Sequence, residues 1–315
     1  MTIALRVKYS CCHHQNLLHF KFELAEIKPC FDVIFIDEGQ DLIVGKDYKF
    51  NDYQPIYWLA WQSLRPVNPK NPDMRRLYWA YDEFQTLDKK TMVIPEFKEI
   101  FGTELSSKIL KKSEVGEISK VMKCCYRTPN AILLASLALG LGLLRDKGRL
   151  YPLDKEELNN IGFEVEGDFR RRNEIKIWRN PANSQNKIDQ IYHGKLIEYE
   201  YFDDMDKQIE GLIKKVQFVS DLEFNERNNI MIVALGVGKK VSNLVDRIGH
   251  KFQQHQMNNK SQLNFFIPGK SDINQVSGKS DASTFWKDNA ITITHIYRAK
   301  GNEADWVFIV APIQI

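Results

Sequence analysis

The chain has 315 residues, of which 43% are hydrophobic and 27% are charged, and its 44 Lys and Arg against 41 Asp and Glu give a formal net charge of +3. This composition is ordinary for a soluble protein with two cored domains, and the lack of an internal repeat excludes a solenoid. The small positive excess is weak support for a nucleic-acid partner. Five cysteines, an odd number, with no secretory signal predict reduced thiols and a cytoplasmic location.

The first predicted strand is the apolar run in FDVIFIDEGQD, residues 31–41, which ends abruptly in Asp37 and Glu38. Parallel sheets are covered on both faces, so their strands are unbroken apolar runs, and ligands bind beyond the carboxyl ends. An Asp-Glu pair at that edge suits metal-assisted phosphoryl chemistry, in which one carboxylate holds Mg²⁺ and the other orients or deprotonates an attacking water. The alternative is a strand that ends in a solvated acidic turn.

A polar loop with aromatic side chains is expected over residues 48–61, and a second strand near Tyr78 in LYWAYDEFQTL, residues 77–87. That strand leads into Asp82 and Gln85, and helices are expected after it. A cluster of cations follows: Lys108, Lys111, Lys112, Lys120, Lys123 and Arg127. These cations form either a track for a phosphate backbone or, because acidic residues are interspersed, a solvated helix face.

The segment CYRTPNA, residues 125–131, opens a predicted helix. Thr128 suits the N-cap, Pro129 suits the first helical position, and an apolar helix is expected from Asn130 onward. Arg127 lies just before it, and a guanidinium, with its rigid fork of donors and permanent charge, suits contact with a phosphate. The run ILLASLALGLGLL that follows is too short to span a bilayer and indicates a buried helix, so no membrane association is expected.

The segment after this helix, residues 145–201, is charged and is expected to be irregular. The elements predicted beyond it are a helix over 205–218, a strand over 230–235, a polar helix over 241–256 and a short strand over 263–267. Near the end, ITITHIYRAKGNEADWVFIV predicts a strand, a Lys-Gly turn and a second strand. Such alternation of strands and helices predicts an α/β fold with mainly parallel sheets.

Four of these segments resemble, in order, motifs of superfamily 1 helicases of the UvrD/Rep type. DEGQD resembles motif II, usually DExQD, and LYWAYDEFQTL resembles motif III, usually GDxxQ. CYRTPNA resembles motif IV, and ITITHIYRAKGNEADWVFIV, residues 291–310, resembles motif V. The resemblance implies two RecA-like domains, the first incomplete. Residues 1–124 would be the remainder of the first, with motifs II and III, and residues 125–315 would be the second, with motifs IV and V and a small insertion near 145–201.

The resemblance also implies roles for individual residues. Glu38 would activate water, Gln85 would sense the γ-phosphate and Arg127 would stabilise its developing charge. ATP and Mg²⁺ would be the cofactors, both only with a complete site, and Asp37 would be the metal ligand. The cofactor-binding residues would be Asp37, Gln40, Asp82, Arg127, Gly301 and Glu303. Single-stranded DNA would be the partner, contacted by Thr294, His295, Tyr297 and Lys300.

The sequence departs from the family pattern at three places. Tyr81 stands where motif III has glycine, and no aromatic residue follows Gln85 closely, so phosphate sensing is better supported than base stacking. Tyr297 stands at the usual histidine position of motif V. The third departure is the lack of a GxxxxGK[ST] phosphate loop before motif II, since the tripeptides GKS at 269–271 and 278–280 lack the leading glycine and indicate polar loops.

Motif VI is also absent from the sequence. The chain is therefore expected to be a portion of an ATP-dependent helicase or translocase that moves on single-stranded DNA, and to be inactive as an ATPase by itself. The alternative is a noncatalytic nucleic-acid-binding or regulatory remnant of such an enzyme.

Overall fold

The computed structural model describes residues 5–11, 18–24, 27–85, 95–112, 119–143, 145–147, 153–167, 175–222, 229–259 and 263–311. The chain divides into two compact units, Met1–Leu196 (unit 1) and Ile197–Ile315 (unit 2). The domain boundary that the sequence indicates between residues 124 and 125 stays a prediction.

Unit 1 contains three two-stranded sheets and five α-helices among its described residues. The strands are β1 (Leu5–Cys11), β2 (Leu18–Leu24), β3 (Ile34–Ile36), β4 (Leu77–Trp79), β5 (Phe163–Glu166) and β6 (Lys176–Arg179). The helices are α1 (Pro55–Ser63), α2 (Phe97–Lys112), α3 (Asn130–Leu141), α4 (Lys155–Asn160) and α5 (Ile188–Ile191). The β3–β4 pair is parallel, whereas the β1–β2 and β5–β6 pairs are antiparallel.

Two apolar cores hold unit 1 together. One lies around Tyr57, Trp61 and Phe101, against which the inward residues of β3 and β4 pack. The other joins α3 and α4 to the β5–β6 hairpin around Leu141 and Leu158. The first core therefore supports the strands that carry the residues resembling motifs II and III.

The prediction of a loop over residues 48–61 is wrong in its second half, because α1 covers Pro55–Ser63. Tyr57 and Trp61 lie one helical turn apart and are both buried, so they anchor α1 in the first core. The irregular segment predicted over 145–201 is also wrong in part, because it contains α4, α5 and the β5–β6 hairpin.

Helix α3 begins at Asn130, as predicted, but its N-cap residue is Pro129 and no side chain caps it. The predicted burial is only partial. Leu137 and Leu141 are buried, whereas Leu139 is exposed. The helix therefore packs with one side only.

Unit 2 is built on a four-stranded parallel sheet. Its elements are α6 (Met205–Ser220), β7 (Ile230–Ala234), α7 (Gly238–Asn259), β8 (Phe265–Phe266), β9 (Ile291–His295), α8 (Ile296–Ala299) and β10 (Trp306–Val310). The strand order is β10-β7-β9-β8. Helices α6 and α7 cover one face of the sheet, and Phe285, Trp286 and α8 pack on the other. The central strands β7 and β9 are buried, as their unbroken apolar sequences predict.

Candidate functional site

The residues that resemble motifs II and III emerge at one edge of the β3–β4 sheet. Ile34 pairs with Leu77 and Ile36 with Trp79, so the two parallel strands end together. Beyond the strands the backbones stay joined, because Ala80 N–H donates to Ile36 O at 2.9 Å and Gly39 N–H donates to Ala80 O at 2.8 Å. The two segments therefore meet at this edge of the sheet.

The position between Glu38 and Gln40 requires a glycine, Gly39, because other atoms closely surround the backbone there. A Cβ at this position would clash with the hydroxyl of Tyr57 and would lie 3.1 Å from Ala80 O. The same hydroxyl donates a hydrogen bond of 2.9 Å to Gly39 O. The glycine therefore lets the acidic turn sit directly on the end of β4 and on α1.

Gln40 joins the two segments through its side chain, which is only 4% exposed. Its Nε2 donates to Glu38 Oε2 at 2.5 Å, and its Oε1 accepts from Asp82 N–H at 3.0 Å. Both ends of the amide are thus used within the protein. In this structure Gln40 is positioned to fix the carboxylate of Glu38 relative to Asp82, and its role in cofactor binding stays a prediction.

The segment after β4 is ordered by the carboxylate of Asp82. Its Oδ1 accepts from Phe84 N–H at 3.0 Å, and its Oδ2 accepts from Gln85 Nε2 at 2.8 Å. In this structure the amide of Gln85 is therefore held beside Asp82, next to the Gln40 bridge.

Asp37 and Glu38 differ in their environments. Asp37 is exposed, and its Oδ1 accepts the backbone N–H of Glu38 at 2.9 Å. Glu38 is half-buried and has a left-handed backbone, with φ 51° and ψ 42°. A non-glycine residue in this region costs on the order of 1–2 kcal/mol, so the surrounding bonds must hold it there.

The donor set at this edge suits Mg²⁺ better than a metal held wholly by protein. Among the described residues, no group of three His, Cys, Asp or Glu side chains is arranged to hold a metal ion. Mg²⁺ usually keeps several waters and binds through one or two carboxylates together with substrate phosphates. The exposed carboxylate of Asp37 fits that mode of binding.

Arg127 lies in the segment between Cys125 and α3, and it is exposed. Asn186 Nδ2 donates to Arg127 O at 2.6 Å. Cys125 N–H donates to Asn183 O at 2.8 Å, and Cys125 O accepts from Gln185 N–H at 2.9 Å. The residues that resemble motif IV are thus attached to the loop that follows β6.

The residues that resemble motif V belong to unit 2. Thr294 and His295 form the carboxyl end of β9, and Tyr297 lies in α8 with 45% of its surface exposed. Lys300 and Gly301 form the turn after α8, with φ 80° at Gly301, and Glu303 lies before β10. The predicted order of strand, turn and strand is confirmed.

Two polar atoms at this end of β9 are buried without a hydrogen-bond partner among the described residues, Thr294 Oγ1 and His295 Nδ1. Burial lowers the pKa of His295, and the nearby charges of Arg298 and Lys270 lower it further. The imidazole is therefore kept in its neutral form, in which one ring nitrogen can accept a hydrogen bond.

The lowered pKa of His295 predicts a pH dependence of stability. Since the folded state resists protonation of this ring, unfolding becomes easier as the pH falls below about 6.5, the ordinary pKa of histidine. Urea titrations of wild type between neutral and mildly acid pH should show this loss, and His295→Gln should make it smaller. The exposed His250, in the same unit, supplies the control His250→Gln, which should leave the dependence as it is in wild type.

The two GKS tripeptides lie outside helices and strands, as the sequence predicts. Lys270 Nζ is 2.9 Å from both carboxylate oxygens of Asp246 and donates to Ser242 Oγ at 2.7 Å. Ser271 is buried, and its Oγ accepts from Ile267 N–H. In the first tripeptide, Lys270 therefore joins its loop to α7 through Asp246 and Ser242.

Sequence reasoning did not find the part played by Tyr57, whose hydroxyl holds the carbonyl of Gly39. Burial raises the pKa of Tyr57 well above its ordinary value, so the hydroxyl remains a donor. Tyr57 lies well after DEGQD in the sequence, and nothing in the local sequence indicates this contact, because only the tertiary fold creates it.

Tyr57→Phe removes this donor and leaves Gly39 O buried without it. We expect the free energy of unfolding to fall by about 1–2 kcal/mol, as for other buried hydrogen bonds of this kind. Urea unfolding monitored by tryptophan fluorescence measures the change. Tyr48→Phe is the matched control, because Tyr48 is 77% exposed; an equal loss in both variants would contradict this role of Tyr57.

Comparison of the chain with protein-family models, with curated proteins and with solved structures finds no match. No helix within the described ranges is long and apolar enough to cross a membrane. The architecture itself defines a mixed α/β protein with parallel sheets, and in unit 1 two carboxylate-bearing segments meet at the carboxyl edge of such a sheet.

Proposed function

We propose that the chain is the part of a superfamily 1 DNA helicase or translocase that contains motifs II to V. The observation that carries the proposal is the Gln40 bridge, which ties the carboxylate of Glu38 to the backbone of Asp82. Two segments that resemble consecutive helicase motifs are therefore coupled by a buried side chain at the carboxyl edge of a parallel sheet, where nucleotides bind in open α/β folds.

In the proposed mechanism, residues of this edge and Arg127, from the segment before α3, act on the phosphates of ATP. Asp37 would hold Mg²⁺, and the metal would supply neutralisation of phosphate charge. Glu38 accepts a proton from the attacking water, and Gln85 responds to the γ-phosphate. Arg127 stabilises the charge that develops on the transferred group.

Unit 2 carries the proposed contacts to single-stranded DNA. Thr294 and His295 lie at the carboxyl end of a strand in a parallel sheet, and both have a buried polar atom without a partner among the described residues. Tyr297 lies in α8, which follows β9 directly, and Lys300 is the residue after that helix. Gly301 and Glu303 complete the proposed nucleotide contacts of this segment.

Binding of single-stranded DNA tests the proposal on the chain itself. We expect a labelled oligothymidylate to bind with an affinity that falls linearly with salt on logarithmic axes, with a slope of about −0.7 per phosphate contact. Fluorescence anisotropy across a salt series measures it. Lys300→Ala should make the slope shallower by about 0.7, the share of one phosphate contact, whereas the control Lys70→Ala, at an exposed position of unit 1, should not change it.

The outcomes separate two classes of protein. No measurable binding, or binding that ignores salt, would contradict the DNA partner. Binding without ATP hydrolysis after a phosphate loop is supplied would favour a noncatalytic nucleic-acid-binding remnant.

A further inference from the structure

Arg179 is an arginine buried in the interior of unit 1, at the end of β6, with only 5% of its surface exposed. No carboxylate pairs with it among the described residues. Its guanidinium instead lies 4.9 Å from the ring centroid of Phe163. A buried charge without an ionic partner is unfavourable unless its donors are satisfied in another way, so such a residue needs a physical reason for its presence.

The donors of Arg179 are satisfied by backbone carbonyls and one hydroxyl. Nη1 donates to Ile161 O at 2.8 Å, and Nη2 donates to Lys123 O and, at 2.9 Å, to Asn183 O. Nε donates to Ser184 Oγ at 3.0 Å. The planar fork of an arginine can hold several acceptors at once, whereas the ammonium of a lysine cannot reproduce that geometry.

These acceptors come from separate stretches of chain that meet at the guanidinium. Lys123 lies in the segment that leads to Arg127, Ile161 lies in the turn after α4, and Asn183 and Ser184 lie in the loop after β6. Gly162 is required beside them, because a Cβ there would clash with Lys123 O and would come within 3.0 Å of the guanidinium. The packing around Arg179 is thus specific to this arrangement.

The loop that Arg179 holds in turn holds the backbone around Arg127. Asn183 O accepts from Cys125 N–H, Cys125 O accepts from Gln185 N–H, and Asn186 Nδ2 donates to Arg127 O. The backbone of Arg127 is therefore held by the loop after β6, which is itself bonded to the guanidinium of Arg179. The side chain of Arg127 is exposed.

We propose that Arg179 is a positioning residue for Arg127, and that it fixes the backbone from which Arg127 reaches the γ-phosphate. This inference rests on the proposed function, because it takes Arg127 as the phosphate contact. Arg179 touches neither nucleotide nor DNA. It acts by holding Lys123 and the loop after β6 in one arrangement.

The test uses the difference between a triphosphate and a diphosphate. Affinities for ATPγS and for ADP, each with Mg²⁺, are measured by isothermal titration calorimetry on the chain extended upstream of Met1 with a GxxxxGK[ST] segment, because the proposed nucleotide site is complete only in that form. Arg127→Ala should weaken ATPγS by roughly tenfold to a hundredfold, as for loss of a charged hydrogen bond, and should leave ADP nearly unchanged. Arg179→Met should give the same selective loss, and the double variant should lose no more than Arg127→Ala alone.

Two further variants keep the test interpretable. Arg179→Lys retains the charge and should give a smaller selective loss of ATPγS affinity. It replaces Arg179→Met in the test if that variant does not fold. Arg145→Met is the matched control, because Arg145 is an exposed arginine of the same unit. It should change neither affinity.

Each remaining outcome overturns a defined claim. A normal ATPγS affinity in both Arg179 variants, or an equal loss of ATPγS and ADP, overturns the positioning role while the proposed function stands. If Arg127→Ala has no effect or the extended chain binds neither nucleotide, the proposed phosphate contact fails instead. Amide hydrogen exchange at Cys125 and Gln185 then tests, without nucleotide, whether Arg179 anchors the backbone near Arg127. Faster exchange in the Arg179 variants supports this anchoring, and unchanged exchange overturns it.

Discussion

Glu38→Gln should abolish ATP hydrolysis by a chain extended upstream of Met1 with a GxxxxGK[ST] segment. The substitution removes the group that accepts the proton of the attacking water, and positioned general bases contribute about 10²- to 10⁴-fold to rate. Because a glutamine at this position can still accept a hydrogen bond from Gln40 Nε2, we expect folding to be preserved. Steady-state phosphate release at saturating ATP measures the fall in kcat.

The control for this prediction is Glu96→Gln, at an exposed position just before α2. It removes one negative charge from the same unit, away from the sheet edge, and should leave kcat unchanged. Hydrolysis that persists in Glu38→Gln at the wild-type rate would exclude Glu38 as the base.

Gln40→Leu should lower kcat by about 10²-fold in the same extended chain, because a misplacement of about 1 Å at a reacting group has effects of that size. Leucine keeps the volume of the side chain but can neither donate to Glu38 nor accept from Asp82 N–H. The free energy of unfolding should also fall by about 1–2 kcal/mol, since the part-buried N–H of Asp82 loses its acceptor. Phosphate release and urea unfolding are the two measurements.

Gln190→Leu is the matched control, because Gln190 is an exposed glutamine of unit 1. It should change neither quantity. If Gln40→Leu lowered stability while kcat remained normal, Gln40 would be a structural residue only, and the proposed coupling of the two segments that resemble motifs II and III would not depend on it.

The strands at both candidate edges could be predicted from the sequence because burial on two faces leaves a clear pattern. The apolar runs that became β3, β7 and β9 are short, rich in β-branched residues and bounded by polar residues. The polar ends of these runs placed Asp37 and Thr294 at the carboxyl edges of parallel sheets, as the structure shows.

Helix α1 could not be predicted in the same way, because its sequence PIYWLAWQS is apolar nearly all round and has no helical period. The β5–β6 hairpin was missed for a different reason. Each strand has four residues, and the residues between them are charged, so local sequence does not distinguish the hairpin from a loop. Tertiary packing decides both cases, because α1 is anchored in the core around Tyr57, Trp61 and Phe101, whereas the hairpin packs against α3 and α4.

The bonds within the site also lay beyond sequence reasoning. Gln40 is typical of motif II in its residue type, but its bridge to Asp82 depends on the register of β3 against β4. Arg179 reads as an ordinary surface arginine, because arginine is seldom buried. Only the tertiary fold brings its acceptors together.

Stimulation of ATP hydrolysis by single-stranded DNA tests the central claim most directly. In the chain extended with a phosphate loop, we predict that oligothymidylate raises the rate of phosphate release, that duplex DNA raises it less, and that Glu38→Gln abolishes the stimulated rate. Hydrolysis that is independent of single-stranded DNA, or a stimulated rate that survives Glu38→Gln, would contradict the assignment of this chain to a DNA-translocating motor.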